Sequence, residues 1–575
     1  MKKAIESPIF FVLLAAIFFL PFLGGVHLFD WDEINFAEIA REMTVLNNYL
    51  EVYINYEVFT EKPPLFMWLQ AISMNVFGVG DYAARFPNAV FGILVLPLLY
   101  TLGKKMHSKK FGVYWALAWF GSILPHLYFK SGIIDPVFNF FIFLAIYFLI
   151  RYQWDRNGYN ARSRTKHVWL FLTLAGVSTG LAMLTKGPVA FLIISLTLGV
   201  YWIWQRFKWF ISVPHFIYFT TISLLVVLVW VGLNYVEHGP KFILEFTIRQ
   251  WTMLTTPDAG HGGFLGYHFV VLLVGCFPAS IFAIQAMLKK DHSASTSQLD
   301  FRRWMLILFW VVLILFSIVT TKIVHYSSMA YYPLTYLAAV SLMNIDKGKW
   351  KFTIFMKVGL WIIGGIAALI TIALPFIGMN IQKLKFLFEQ DAFALQNIEA
   401  KINWTGFESL AGIFLLAILL FSLLSKRSDY ALRFRTLFLG MGVWVMLTLI
   451  FDIGKIEAIS QRAAVEFWEK HAGEDCYVTT FGYKSYAHLY YARVSPQIAN
   501  EQNHVNGNTA WLLLGKVDKP VYISCKVTSY EQFESEIKDA QFLYSKNGFY
   551  FYKRVPKKKS SNESLEDFLT EESLI

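Results

Sequence analysis

Three carboxylates, Asp30, Asp32 and Glu33, crowd the start of a polar island that runs from Asp30 to Arg85 between two apolar runs. Lys62 and Arg85 supply cations within the same stretch. A carboxylate held in hydrocarbon costs about 2.5–3.5 kcal/mol, so acids at the mouth of a transmembrane helix mark a working site. Acids set among cations suit two tasks: taking a proton from a nucleophile and neutralising an anionic leaving group.

The elements that must position these residues are apolar. The chain has 575 residues, is 56% hydrophobic, 18% aromatic and 16% charged, and has a mean hydropathy of +0.47. That composition describes a polytopic membrane protein rather than a soluble domain. Membrane-length runs recur at Pro8–Gly25, Phe111–Tyr128, Ile133–Ile150, Val168–Leu184, Pro188–Trp204, Pro214–Tyr235 and Leu432–Phe451. With the weaker runs they predict about thirteen spans in an all-α domain covering residues 1–451. The first run follows Lys2 and Lys3, lacks a small-x-small cleavage site and leads straight into the acids, so it reads as a retained helix rather than a signal peptide.

Basic clusters fall in alternate loops: Lys2/Lys3, Lys104–Lys110, Arg151–Lys166, Arg206/Lys208, Lys289–Arg303, Lys347–Lys351 and Lys426–Arg435. The positive-inside rule then puts the N-terminus in the cytoplasm and, with an odd number of spans, the C-terminus outside. The net charge of +11 is largely accounted for by these loops, and no basic-aromatic module calls for nucleic acid. From about Asp452 the apolar runs shorten to strand length in CYVTT, AWLLL, VYISC and FYFYKRV, with polar helical segments such as YEQFESEIKD between them. A small extramembrane α/β domain is predicted over 452–556, followed by a tail over 557–575 whose composition favours disorder. Cys476 and Cys525 share that domain, where a disulfide between them is open.

On this orientation the remaining polar residues collect on the outer face. The loop 29–88 carries Asp30, Asp32, Glu33, Glu61, Lys62 and Arg85. Later outer turns carry Lys130 and Asp135 in KSGIIDP, Lys186 in LTKGP, Arg249, His261 and His268 in a long loop, and Lys322, His325 and Tyr326 in TKIVHYSSMAYYP. Cations at the outer ends of several helices suit a phosphate arriving from the membrane. After Asp32, the residues Phe36, Ile39, Ala40, Met43 and Leu46 repeat at helical spacing, with Glu38, Arg41 and Glu42 between them. That pattern predicts a helix lying along the membrane surface.

Plainer readings compete. A lysine at a helix end is usually a snorkelling anchor, which covers Lys130, Lys186 or Lys322 taken singly. Pro63, Pro64 and Pro188 suit helix starts. His261 and His268 have no partner at metal spacing and read as loop and core histidines. Asp30-Trp31-Asp32 has the DxD form of some metal-dependent glycosyltransferases, a three-residue signal that leaves a divalent metal open and requires no cofactor.

In order and spacing these elements resemble the lipid-phosphate-dependent GT-C glycosyltransferases, the aminoarabinose transferase and protein mannosyltransferase-like group. DEINFAEIAREM from Asp32 to Met43, EKPPLFMWLQAISMNVFG from Glu61, Arg85-Phe86-Pro87, IIDP at Asp135, LTKGP at Lys186 and HYSSMAYYP from His325 follow in the family's order. Ile34-Asn35 stand where the family often carries Gly-Arg or Ala-Arg. The resemblance implies a GT-C fold with an outer C-terminal domain. It also implies inverting transfer of a sugar from a polyprenyl-phosphate donor, at the outer face of the inner membrane, to lipid A, a protein or an envelope glycan. Asp32 would act as base and Asp135 would orient the acceptor or support a cation. Lys62, Arg85, Lys186 and Arg249 would bind the donor phosphate, and Glu33, Glu61 and Tyr326 the substrate. A transporter or flippase for an anionic or lipid-linked substrate is the rival from another class, since charges in a polytopic protein also mark translocation paths. The one-sided clustering and the lack of an evident internal repeat argue against it. Within the enzymes, a metal-dependent oligosaccharyltransferase is the second rival.

Overall fold

A computed structural model describes residues 5–156, 167–255, 262–291, 294–425, 429–505 and 509–556. His261 and the tail predicted to be disordered lie outside them. The chain packs as two units, one of Met1–Met379 and Asn403–Ile456, the other of Asn380–Ile402 and the chain from Glu457.

The first unit is helical and polytopic. Among the described residues seven helices are long and apolar enough to cross a membrane, or eight if a pair bent by 116°, Tyr267–Gly275 and Ala279–Leu288, counts as one span. Pro8–Phe19, Leu65–Phe77, Val189–Trp204 and Ser409–Leu424 are shorter apolar helices. Apolar runs that look alike in sequence thus fold differently. The run Phe111–Tyr128 breaks into Lys109–Phe120 and Ile123–Tyr128 at Gly121, where a Cβ would run into the backbone of Phe438. The run Pro8–Gly25 is helical only to Phe19 and turns at Phe22, which has φ 59°.

Seven helices carry the site: α1 (Pro8–Phe19), α2 (Asp32–Leu46), α3 (Leu65–Phe77), α4 (Asp81–Met106), α5 (Asp135–Arg156), α6 (Val168–Lys186) and α7 (Pro240–Thr255). Pro64 caps the start of α3 and Pro188 the start of Val189–Trp204, the first-turn use that proline tolerates. Lys130 donates to the carbonyls of Phe18 and Pro21 beyond the end of α1, and Lys322 donates to those of Phe316 and Ser317 at the end of Thr296–Ile318. Both lysines therefore satisfy carbonyls that a helix end leaves without an intrahelical partner.

Helix α2 forms where the periodicity places it, but it is not a surface helix. Every residue from Glu33 to Met43 is buried, Glu38, Arg41 and Glu42 included. The charges are matched internally instead of by water. Arg41 donates from Nε and Nη2 to Glu38 at 2.7 and 2.6 Å. Glu42 accepts the N–H groups of Asn55 at 2.7 Å and Tyr56 at 2.9 Å. Those two residues form the turn between β1 (Tyr53–Ile54) and β2 (Glu57–Val58) and have φ of 55° and 58°. Positive φ at both central positions is what a two-residue hairpin turn requires, and it is costly for a tyrosine. Glu42 thus holds the hairpin that hands the chain on to Glu61 and Lys62. Burial, and then the Glu38 carboxylate, push the Glu42 carboxyl well above its usual range. Glu42→Ala is expected to leave two backbone donors unpaired and to cost about 1–3 kcal/mol. A thermal unfolding series in detergent checks this, with Glu42→Gln losing less because it keeps an acceptor.

In the second unit β3 (Tyr477–Phe481), β4 (Val521–Lys526), β5 (Ala540–Lys546) and β6 (Phe549–Arg554) form one sheet in the order β3-β4-β6-β5. The β3/β4 pair is parallel and the other pairs are antiparallel. AWLLL, expected as a strand, lies in the helix Thr509–Leu514, because alanine and leucine favour helix and only Thr509 is β-branched. Cys476 and Cys525 are both free and buried. Cys525 pairs opposite Phe481 at the far end of β3 from Cys476, so strand register keeps the two thiols apart. A cavity of about 240 Å³ in this unit is lined by His471, Glu474, Arg493 and Gln497 among others.

Candidate active site

Asp32 and Asp135 each open a helix, α2 and α5, where the helix dipole favours a negative charge. Lys186 closes α6, where the dipole favours a cation. Helices α5 and α6 run side by side, so the start of one meets the end of the other. Lys186 Nζ lies 2.7 Å from Asp135 Oδ1, with the carboxylate only 2% exposed. Ser328 Oγ lies 3.5 Å from the same oxygen and accepts from Asn139 Nδ2 at 2.8 Å. Among the described residues Asp135 Oδ2 has no hydrogen-bond partner. It faces His325, whose Nε2 stands 3.9 Å from it and 3.5 Å from Asp32 Oδ2. Asp32 is the open member of the cluster, its side chain 32% exposed. The ammonium of Lys186 also sits 5.3 Å from the ring centre of Tyr326.

A second group of charges lies on the loop before α3 and on α7. Glu61 accepts from Lys62 Nζ at 2.7 Å through Oε1 and from Arg249 Nη2 at 2.9 Å through Oε2. Burial alone would raise the Glu61 carboxyl, but Lys62 and Arg249 together hold it below its usual value. Glu61 therefore draws together two cations from distant parts of the chain. Each carboxylate oxygen holds one cation and keeps a further lone pair for a hydroxyl donor.

Arg85 and Glu33 depart from expectation in the same way. Both are buried. Arg85 Nε and Nη2 bind Glu33 at 3.0 and 2.8 Å, and its Nη1 and Nη2 bind the carbonyls of Leu23, Val26 and His27 at 2.7–2.9 Å. Glu33 also accepts the N–H groups of Phe29 and Gly132. These contacts tie the end of the first apolar run, the acid-bearing turn and the segment before α5 to the base of α4. The pair braces the turn that carries Asp32.

His325 is the residue that sequence reasoning left without a role. It lies in the quoted segment HYSSMAYYP, in a short 3-10 helix, Val324–Ala330, and its proximity to the two aspartates is a product of the fold. Burial lowers its pKa below the ordinary value, as do Lys186 and Lys62, while Asp135 and Asp32 act in the opposite sense. His268, whose Nδ1 lies 3.1 Å from Ser327 Oγ, is a buried core histidine. Among the described residues no three His, Cys, Asp or Glu side chains form a metal-binding group.

A family model described as dolichyl-phosphate-mannose-protein mannosyltransferase matches residues 7–244, which contain α1 to α6 and the acid loop. The crystal structure of ArnT from Cupriavidus metallidurans bound to undecaprenyl phosphate superposes with a TM-score of 0.75 at 17% identity, covering 95% of this chain and 98% of that one. The chain has the fold of ArnT, and over residues 7–244 it is similar to the mannosyltransferase family. Among relatives, the undecaprenyl phosphate-alpha-4-amino-4-deoxy-L-arabinose arabinosyl transferase of Shewanella sediminis is 25% identical over 361 residues, 60% of this chain and 61% of that protein. The protein of the same name from Pseudomonas aeruginosa is 25% identical over 333 residues, 57% and 58% of the two chains. The chain thus spans roughly three-fifths of the length of these relatives. The family's DE, EKPP, RFP and DP elements all fall within the matched residues, and they contribute Asp32, Glu61, Lys62, Arg85 and Asp135 to the geometry above.

Proposed function

We propose that the protein is an integral-membrane glycosyltransferase that moves a sugar from a polyprenyl phosphate to an acceptor at the periplasmic face, with inversion at the anomeric carbon. The observation that carries this reading is a partly exposed carboxylate, Asp32, which His325 connects to the Lys186–Asp135 pair, together with Lys62 and Arg249 already held in place by Glu61. Asp32 removes a proton from the acceptor as the new bond to the anomeric carbon forms. Lys62 and Arg249 receive the lipid phosphate as it leaves, and because Glu61 orders them beforehand they need little reorganisation when the charge develops. Lys186 adds to that positive field and is itself held by Asp135. Tyr326 lines the acceptor side. The names of the relatives support a lipid-phosphate donor, and lipid A, a protein and an envelope glycan are the acceptor classes to be tested.

The reading includes about thirteen spans with the N-terminus in the cytoplasm. It also places the α/β unit in the periplasm, as the alternating basic loops imply.

The test uses purified full-length protein with a panel of radiolabelled polyprenyl-phosphate sugars and membrane-extract acceptors, with and without EDTA. Transfer that persists in EDTA is the expected result. Transfer abolished by EDTA and restored by a divalent cation would favour a metal at Asp30 and Asp32, and no transfer from any donor would favour a transporter.

A further inference from the structure

We propose that His325 is the residue to which Asp32 passes the proton taken from the acceptor, and that the site therefore serves an acceptor hydroxyl rather than an acceptor phosphate. The inference rests on the glycosyl-transfer reading and deepens it. His325 Nε2 is 3.5 Å from Asp32 Oδ2 and 3.9 Å from Asp135 Oδ2. These distances are long for hydrogen bonds, as catalytic contacts often are before substrate closes the site. The ring stands between one carboxylate that is open and one that is buried. Asp135 is pinned through Oδ1 by Lys186, while its Oδ2 makes no hydrogen bond and faces the imidazole. A buried oxygen of that kind is costly unless it gains a partner during the reaction. A positively charged His325 would be that partner.

The step balances. The acceptor O–H bond breaks and its oxygen bonds to the anomeric carbon. The bond from that carbon to the phosphate oxygen breaks, and its electron pair leaves on the polyprenyl phosphate. The proton goes to Asp32 and then to Nε2 of a neutral imidazole that carries its other proton on Nδ1, which returns Asp32 to the ionised form. Asp135 stabilises the imidazolium until the proton reaches water through the 15% of the side chain that is exposed. Among the described residues the charged or titratable groups around His325 are Asp32 from α2, Lys62 from the loop before α3, Asp135 from α5, Lys186 from α6, His268, and Tyr326, whose ring centre is 5.3 Å away. The two lysines and burial favour the neutral ring, which is the form that can accept a proton. A phosphate acceptor is already ionised near neutral pH and leaves nothing to relay.

The experiment compares the pH dependence of transfer by the wild type and by His325→Gln, with donor and acceptor varied separately. In the wild type activity should fall as the pH drops through the pKa of His325, because the ring must be neutral to accept. In His325→Gln kcat should fall by about 10²-fold. Its donor KM should be unchanged, and its acid limb should move down to the carboxylate range. A wild-type acid limb in the variant, a change in KM alone, or transfer exclusively to a phosphate would each overturn the proposal. A second arm does not depend on turnover. In protein labelled at histidine, the NMR signal absent from His325→Gln should titrate below the ordinary histidine value and should move lower still in Asp32→Asn and in Asp135→Asn. No response to Asp32→Asn would overturn the relay even if no donor were accepted, whereas a response without transfer from any donor would confirm the coupling of His325 to Asp32 and refute glycosyl transfer, and with it the relay of an acceptor proton.

Discussion

Asp32→Asn is expected to lower transfer to a hydroxyl acceptor by about 10²–10⁴-fold, the usual contribution of a positioned general base. An alcohol is a poor nucleophile until its proton is removed, and the carboxamide introduced by this change is isosteric with the carboxylate but unable to accept that proton. The loss should fall on kcat with donor KM nearly unchanged, because Lys62 and Arg249, the residues we propose receive the phosphate, are held by Glu61. The fold should survive, since Asp32 is partly exposed and its neighbour Glu33 carries the structural contacts. Steady-state kinetics of the purified variant decide the matter. Wild-type kcat would remove Asp32 as base, and a large rise in donor KM would make it a binding residue.

The second large effect is structural. Arg85→Ala is expected to cost about 3–5 kcal/mol of folded stability, because it strands the Glu33 carboxylate in a buried site. Arg85→Lys should recover little, since a single ammonium cannot reproduce the two-pronged contact with Glu33 together with bonds to the carbonyls of Leu23, Val26 and His27. The same pair sets a pH dependence. Burial raises the Glu33 carboxyl, but the charge and hydrogen bonds of Arg85 and the N–H groups of Phe29 and Gly132 more than offset this and hold it below the usual range. A depressed carboxyl stabilises the fold above its unfolded pKa of about 4.3 and loses that contribution as the pH falls. Thermal unfolding in detergent should therefore show a much lower Tm for Arg85→Ala at pH 7 and a smaller gap from wild type near pH 4. An equal gap at both pH values would refute the assignment.

Much of the site was legible because its motifs are local. The turn before Asp32, the Glu61-Lys62-Pro63-Pro64 element and the helix ends at Asp135 and Lys186 could each be read from a few neighbouring residues. What misled was exposure. Glu38, Arg41 and Glu42 look like the wet face of an amphipathic helix, yet they are buried against one another and against the hairpin turn. Arg85 reads as an unpartnered cation in an outer loop, yet it is buried and bound to a carboxylate. Its partner Glu33 is 52 residues away.

Composition and periodicity, read from the chain alone, determined that it is a helical membrane protein, where α2 begins and which charged residues stand apart from the positive-inside pattern. These properties follow from transfer free energies and from the helical repeat, and both act over one or two turns. The tertiary structure decided which charges meet. It brought Glu61 to Arg249 across 188 residues, Lys186 to Asp135 across 51, and His325 between two aspartates on separate helices. Those meetings depend on which helices pack together, and helix pairing arises from side-chain fit summed over whole faces, which no short stretch of sequence contains.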